Sequence, residues 1–215
     1  MIGWMTMISN LNDKLDMMFP DARCELEYNK DYELLIATVL SAQCTDKRVN
    51  MCTRVLFNKY KDLDSLSKAN KRDIEEIIRS CGSYNKKSGY ILEIAKKLLN
   101  ECDGKVPNDR EYLEQLPGVG RKTTNVVLSN IYNIPAIAVD THVARVSKRL
   151  KLARNNDDVL SIEKKLMKKI PKYKWSRSHH QLVLFGRYIC KAKNPECERC
   201  QFYTDCKSKD KKRID

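Results

Sequence analysis

Apolar residues recur at helical spacing almost throughout this sequence, as at Leu182, Phe185 and Ile189, and no segment sustains the period-two alternation of a strand. The chain is therefore expected to be all-α. Most of its few glycines and prolines fall where a periodic segment stops: Pro20, Gly104 with Pro107, Pro117 to Gly120, Pro135, Pro171 and Pro195. They punctuate helices rather than interrupt them. The spacing predicts helices near 4–18, 31–43, 46–60, 71–80, 86–101, 109–116, 121–133, 141–151, 158–170 and 175–190, with boundaries loose by several residues. Asn108, followed three residues later by Glu111, reads as a capping box for a short helix that must end at Pro117, because the residue before proline avoids helical angles. A new helix then opens near Arg121. There is no internal repeat and no long linker. The basic tail 207–215 is too charged to pack and is read as frayed.

A chain of 215 residues can bury one large core or two small ones without disulfide staples. Its 41 lysines and arginines against 28 acidic residues give a formal charge of +13, so a polyanion is the first partner to consider. No window approaches the roughly 18 apolar residues of a membrane span. The N-terminus lacks a charged region followed by an apolar stretch and a small-residue cleavage site. No membrane partner is expected, and the expected location is the cytoplasm, in association with the nucleoid, with an organelle left open. In such a reducing setting nine cysteines point to thiols or metal ligands. Cys24, Cys44, Cys52, Cys81 and Cys102 are scattered, whereas Cys190, Cys197, Cys200 and Cys206 crowd together, which suggests two different jobs.

The segment Leu116-Pro117-Gly118-Val119-Gly120-Arg121-Lys122-Thr123-Thr124 joins two short helices through a turn whose glycines permit backbone angles closed to other residues. Amides at the start of the second helix point outward with the positive end of its dipole. They form a phosphate site that reads no base sequence. Val119 is expected to pack back onto the helix pair. A bare Gly-x-Gly would be an ordinary connector; the flanking Leu-Pro and Arg-Lys-Thr make this one more specific. Alone, Lys122 reads as a phosphate contact or solvated helix residue, and Asp140 as an N-cap for the helix carrying Val143 and Val146. The four clustered cysteines, separated by six, two and five residues, are soft ligands suited to zinc or to an iron–sulfur cluster. Lys191 and Lys193 lie in the first loop between them and suit a phosphate clamp.

Taken in order, Ser41-Ala42-Gln43, Leu116 to Val127, Ala138-Val139-Asp140-Thr141-His142, His179-His180 and the four cysteines resemble the helix-hairpin-helix DNA glycosylases, most closely their endonuclease III branch. The likeness runs from about Leu34 through Cys206. It implies two helical lobes with a DNA cleft between them. Residues 24–134 would form a six-helix, barrel-like lobe with the hairpin, and residues 1–23 with 135–206 the cluster lobe. It implies a catalytic pair, Lys122 and Asp140, a [4Fe-4S] cluster on Cys190, Cys197, Cys200 and Cys206, and a monomer acting on duplex DNA that holds oxidised pyrimidines or abasic sites.

The chemistry suits those residue types. Breaking a glycosidic bond leaves positive charge on the sugar, so an amine nucleophile and a carboxylate both help. A lysine amine also forms a Schiff base that permits β-elimination, so one residue cleaves both base and strand. Extruding the target base leaves a gap. Gln43 matches the family residue that enters it, and Gly118, Val119, Gly120, Arg121 and Thr123 match the phosphate-binding hairpin. Relatives commonly carry an apolar wedge, often leucine, where this chain has Ser83 between Gly82 and Tyr84. Either Tyr84 compensates or base flipping differs. Asp46 matches an acidic position near the cleft and also suits a helix cap. Three rival readings are a monofunctional or mismatch-specific glycosylase, a non-catalytic DNA-binding module with a structural metal, and an electron carrier. Lys122 argues against the first and the hairpin against the last.

Overall fold

The structure, a computed structural model, describes residues 11–214. Among them the fold is all-α, with no strand. It separates into two compact units, one of Cys24–Tyr132 and one of residues 1–23 with 133–215. The sequence reading began its first helix at residue 4; its first turns lie outside the described residues, and residues 11–18 form α1.

The unit Cys24–Tyr132 is organised on α2 (Asp31–Leu40), in which every residue from Tyr32 to Leu40 is buried. A helix apolar on all sides has to sit inside its neighbours. Those neighbours include α3 (Asp46–Lys59), α6 (Tyr84–Glu101) and α8 (Arg121–Ile131). Short helices α4 (Leu63–Ser67) and α5 (Lys71–Ile77) close over α6, and α7 (Arg110–Gln115) leads into the hairpin before α8. The helix α4 was not expected. Its signal was present in Asp62 and Ser65, whose side chains each cap the other's backbone amide.

Two local expectations are corrected. The cap of α7 is Asp109, not Asn108: its carboxylate accepts from the Glu111 and Tyr112 amides at 2.9 and 3.1 Å. A carboxylate at the positive helix end outcompetes the neighbouring amide side chain. The helix expected over 31–43 stops at Leu40, and the chain turns through Ser41–Cys44 with Gln43 at φ 56°. At the other end of α7, Leu116 leaves helical geometry with ψ 143°, as a residue before proline must.

The second unit packs α1, α9 (Thr141–Arg149), α10 (Val159–Lys169) and α11 (Trp175–Leu184) around Leu15, Val143, Val146, Leu166, Leu182 and Phe185. α11 runs on through a π-helical turn, Phe185–Ile189. This turn lies against α9 so closely that a Cβ on Gly186 would stand 2.8 Å from the His142 Cβ. Only glycine allows that approach, which fixes the start of α9. The tail is more engaged than its charge suggests, because Asp210 pairs with the nearly buried Arg149 at 2.9 Å.

Candidate functional site

In the first unit the hairpin rests on a glycine that no other residue replaces easily. Gly118 has φ +75°, and a Cβ there would stand 2.7 Å from the Tyr90 ring and 3.2 Å from Val39. Val119 is buried, while Gly118, Gly120 and Arg121 are exposed. Gly120 is the N-cap of α8, so the backbone amides of Arg121, Lys122 and Thr123 lie at the positive end of an 11-residue helix. Lys122 is half-buried in this first turn and Thr123 is buried behind it. Lys122 shares its surroundings with Asp46 and Cys24. The Cys24 thiol is pushed up chiefly by burial, with the Asp46 carboxylate adding to the rise and the Lys122 ammonium opposing it. Nothing in the sequence marked Cys24 as a neighbour of this lysine.

Gln43 is exposed on the turn after α2, with left-handed backbone. Ser83, exposed at φ 57° and ψ 35°, is the N-cap position of α6. A Cβ on Gly82 would lie 3.7 Å from the Gln43 carbonyl, so these two turns are neighbours. The sequence reading missed Lys87. It is 5% exposed, and its ammonium donates to the Leu40 and Ala42 carbonyls at 2.9 and 2.7 Å.

In the second unit Asp140 is the half-buried N-cap of α9, and its Oδ1 accepts from the Val143 amide at 2.8 Å. One carboxylate oxygen is thereby committed to the helix. His142, two residues on, has its Nδ1 3.2 Å from an Arg145 nitrogen. Of the two histidines at 179 and 180, His179 is buried. Burial lowers the pKa of His180 to about 4, so its ring is neutral.

Cys190, Cys197, Cys200 and Cys206 line one cavity together with Arg149, Phe185, Ile189 and Tyr203. Among the described residues no three His, Cys, Asp or Glu side chains form a group that could hold a single metal ion. Instead, the thiols are distributed around the cavity wall. Burial, and then repulsion among neighbouring thiols, pushes Cys200 up to about 11. Burial raises Cys190 as well, so these two thiols favour the protonated form unless a positive centre offsets their charge. Donors already point at three of the sulfurs: Arg149 Nη1 lies 3.4 Å from Cys190 Sγ, the Lys212 amide 3.4 Å from Cys197 Sγ, and the Phe202 amide donates to Cys200, opposing the rise of its pKa. Arg149 also donates to the carbonyls of Cys190, Lys191 and Ala192 at 3.3, 2.6 and 3.2 Å. Arg145 donates to Cys190 and Gly186 carbonyls. These two arginines, one helical turn apart on α9, hold the loop between the first two cysteines, a role that no sequence motif marks. In that loop Lys191 pairs with Glu196, which also holds Arg199, and Lys193 is exposed.

The HhH-GPD superfamily base excision DNA repair protein family matches residues 36–172. Endonuclease III of Bacillus subtilis (strain 168) is 48% identical over 200 residues, covering 93% of this chain and 91% of that protein. A solved structure of a trapped endonuclease III–DNA covalent intermediate, in an estranged-adenine complex, is similar with TM-score 0.89 and 50% identity, over 93% of this chain and 94% of that one. A non-covalent endonuclease III–DNA complex is similar with TM-score 0.88 and 50% identity, over 91% of each chain.

Proposed function

The chain belongs to the HhH-GPD superfamily of base excision DNA repair proteins, in its endonuclease III branch, and from that premise we propose that it excises oxidised pyrimidines from duplex DNA and then cuts the strand. Enzymes of that branch are DNA glycosylases with lyase activity at abasic sites, and this chain is an enzyme of that class. The observation that carries the finer reading is Lys122, half-buried in the first turn of α8 directly after a glycine hairpin. An amine there stands at a helix N-terminus, whose amides suit a backbone phosphate, so a nucleotide held by its phosphate brings its sugar near the nucleophile.

In this reading the Lys122 amine bonds to the anomeric carbon as the bond to the base breaks. The Asp140 carboxylate stabilises the positive charge that develops on the sugar. Opening of the sugar leaves an imine to Lys122. Loss of the proton on the adjacent carbon expels the 3′ phosphate, and water then releases the lysine. Asp140 keeps one oxygen on the Val143 amide throughout, which fixes its carboxylate in place. Arg121, Thr123 and the Gly118–Gly120 backbone hold phosphate, Gln43 fills the vacated stack, and Lys193 with Lys191 extends the phosphate contact. The partner is duplex DNA with an oxidised pyrimidine or an abasic site, bound by a monomer.

We also propose that Cys190, Cys197, Cys200 and Cys206 hold a [4Fe-4S] cluster. Four soft donors around one cavity, with N–H groups directed at three of the sulfurs, fit such a group. When bound it supplies charge compensation and order to the loop carrying Lys191 and Lys193, and the glycosidic chemistry stays with Lys122 and Asp140.

The test is incubation of the purified, cluster-loaded protein with a duplex containing one oxidised thymine, with and without borohydride, beside undamaged duplex and the variant Lys122→Ala. Covalent trapping and strand cleavage by the parent alone are expected. A parent that binds the duplex but is neither trapped nor cuts it would sink the lyase assignment.

A further inference from the structure

Gln43 and Ser83 both hold left-handed backbone, at φ 56° and 57°, although neither is glycine. A side chain with a Cβ is disfavoured there, and the conformation persists only where the surroundings over-determine it. Lys87 supplies that constraint to both turns. It sits four residues after Ser83 in α6, and its backbone amide donates to the Ser83 carbonyl at 3.1 Å. Its ammonium donates to Leu40 and Ala42, the carbonyls at the end of α2 and immediately before Gln43. The carbonyls at a helix C-terminus have no partner within the helix, and this buried cation takes two of that segment's acceptors. A lysine on the surface would simply be solvated. Burial instead holds the Lys87 pKa below its ordinary range, and the charge is tolerated because two carbonyls accept hydrogen bonds from the ammonium.

We propose that Lys87 is a positioning residue that presents Gln43 and Ser83 as one rigid unit to the gap left by an extruded base. The inference rests on the functional reading above, in which Gln43 enters that gap. It matters more in this chain because Ser83 offers no apolar surface to the stack, so filling the gap falls on a glutamine whose usefulness depends on its being held still. Lys87 touches neither DNA nor the reacting atoms and acts through the backbone of its two neighbouring turns.

The experiment is a double-mutant cycle with a structural readout. Single-turnover excision of an oxidised thymine from duplex is measured for the parent, Lys87→Met, Gln43→Ala and the double variant. Amide hydrogen exchange across residues 41–44 is followed in the free proteins. Each single variant is expected to slow excision roughly 10- to 100-fold, the scale of a misplaced contact. The double variant should be no slower than the slower single, because both changes remove one function. Exchange at 41–44 should rise about tenfold in Lys87→Met while the rest of the chain is unchanged. Rates that multiply in the double variant, or unchanged exchange at 41–44, would overturn the proposal. Should Lys87→Met fail to fold, Lys87→Gln, which removes the charge and shortens the reach while keeping an amide donor, takes its place. A parent that excises nothing refutes the functional reading instead, and the exchange comparison still decides whether Lys87 holds the Gln43 turn.

Discussion

The hydrogen on Gly118 that faces Tyr90 occupies space where a Cβ would stand 2.7 Å from the ring, at a backbone φ of +75°. Both the angle and the space exclude other residues. Gly118→Ala is expected to destabilise the unit by about 2–4 kcal/mol, combining left-handed strain with overpacking against Tyr90. Gly120→Ala meets nothing within 4 Å and needs no left-handed angle, so it should cost a few tenths of a kcal/mol to about 1 kcal/mol, as a cap change. Urea unfolding of the two variants checks the contrast. Equal losses would show that the hairpin does not depend on the Gly118–Tyr90 approach.

At Asp140, capping and chemistry are separable. Asn accepts the Val143 amide as well as Asp does, so Asp140→Asn should fold with parent stability while excision falls by orders of magnitude. Asp140→Ala should lose the activity and also about 0.5–2 kcal/mol of stability. Thermal melts beside single-turnover rates distinguish the two. An active Asp140→Asn would limit the residue to capping.

Arg149 is 9% exposed and serves three successive carbonyls, one sulfur and Asp210. A lysine has neither the fork nor the reach to satisfy them, so Arg149→Lys should loosen the loop after Cys190 and cost about 2–4 kcal/mol. Faster loss of the visible absorbance of the proposed cluster on exposure to chelator is the expected sign. Retention at the parent rate would count against the arginine as the loop's anchor.

His180 predicts an acid-sensitive stability. Its pKa is about 4 when folded against 6.5 unfolded, because burial disfavours the charged ring. The unfolded chain then binds the proton more tightly. The full contribution is present above pH 6.5 and is lost as pH falls toward 4, by up to about 3 kcal/mol. Urea midpoints measured between pH 7 and pH 4 should fall, and His180→Gln should flatten that slope. An unchanged slope in the variant would assign the acid sensitivity to other groups.

Removal of the proposed cluster by chelation should leave Cys200 protonated at neutral pH, since burial already holds its thiol near 11. The second unit should then lose order in the loop between Cys190 and Cys197, because the hydrogen bonds from Arg145 and Arg149 would be left to restrain it without a metal. Weaker binding to any duplex, damaged or not, is expected in a gel-shift titration. Unchanged affinity would detach that loop from DNA.

Much of the fold was legible because helices announce themselves locally. The 3.6 period, the proline at 117 and the glycines before Arg121 placed α7 and α8 within a residue or two. The short α4 escaped because five residues are too few to show a period, although Asp62 and Ser65 carried its cap. The end of α2 was misplaced because no side chain within 41–43 stops a helix; the turn there is held from α6.

The sequence alone set out the residues to which the proposed chemistry is assigned: a lysine behind a glycine hairpin, an aspartate at a helix start, and four thiols at fixed spacing. Those follow from neighbours a few positions apart, where chain geometry leaves few options. Tertiary structure alone decided what holds them. Lys87 reaches Leu40 and Ala42 from 47 and 45 residues away, and Arg149 reaches Cys190 and Lys191 across 41 and 42. In each case the acceptor is a backbone carbonyl, which every residue has, so the partner leaves no mark in the sequence and appears only when the chain has folded.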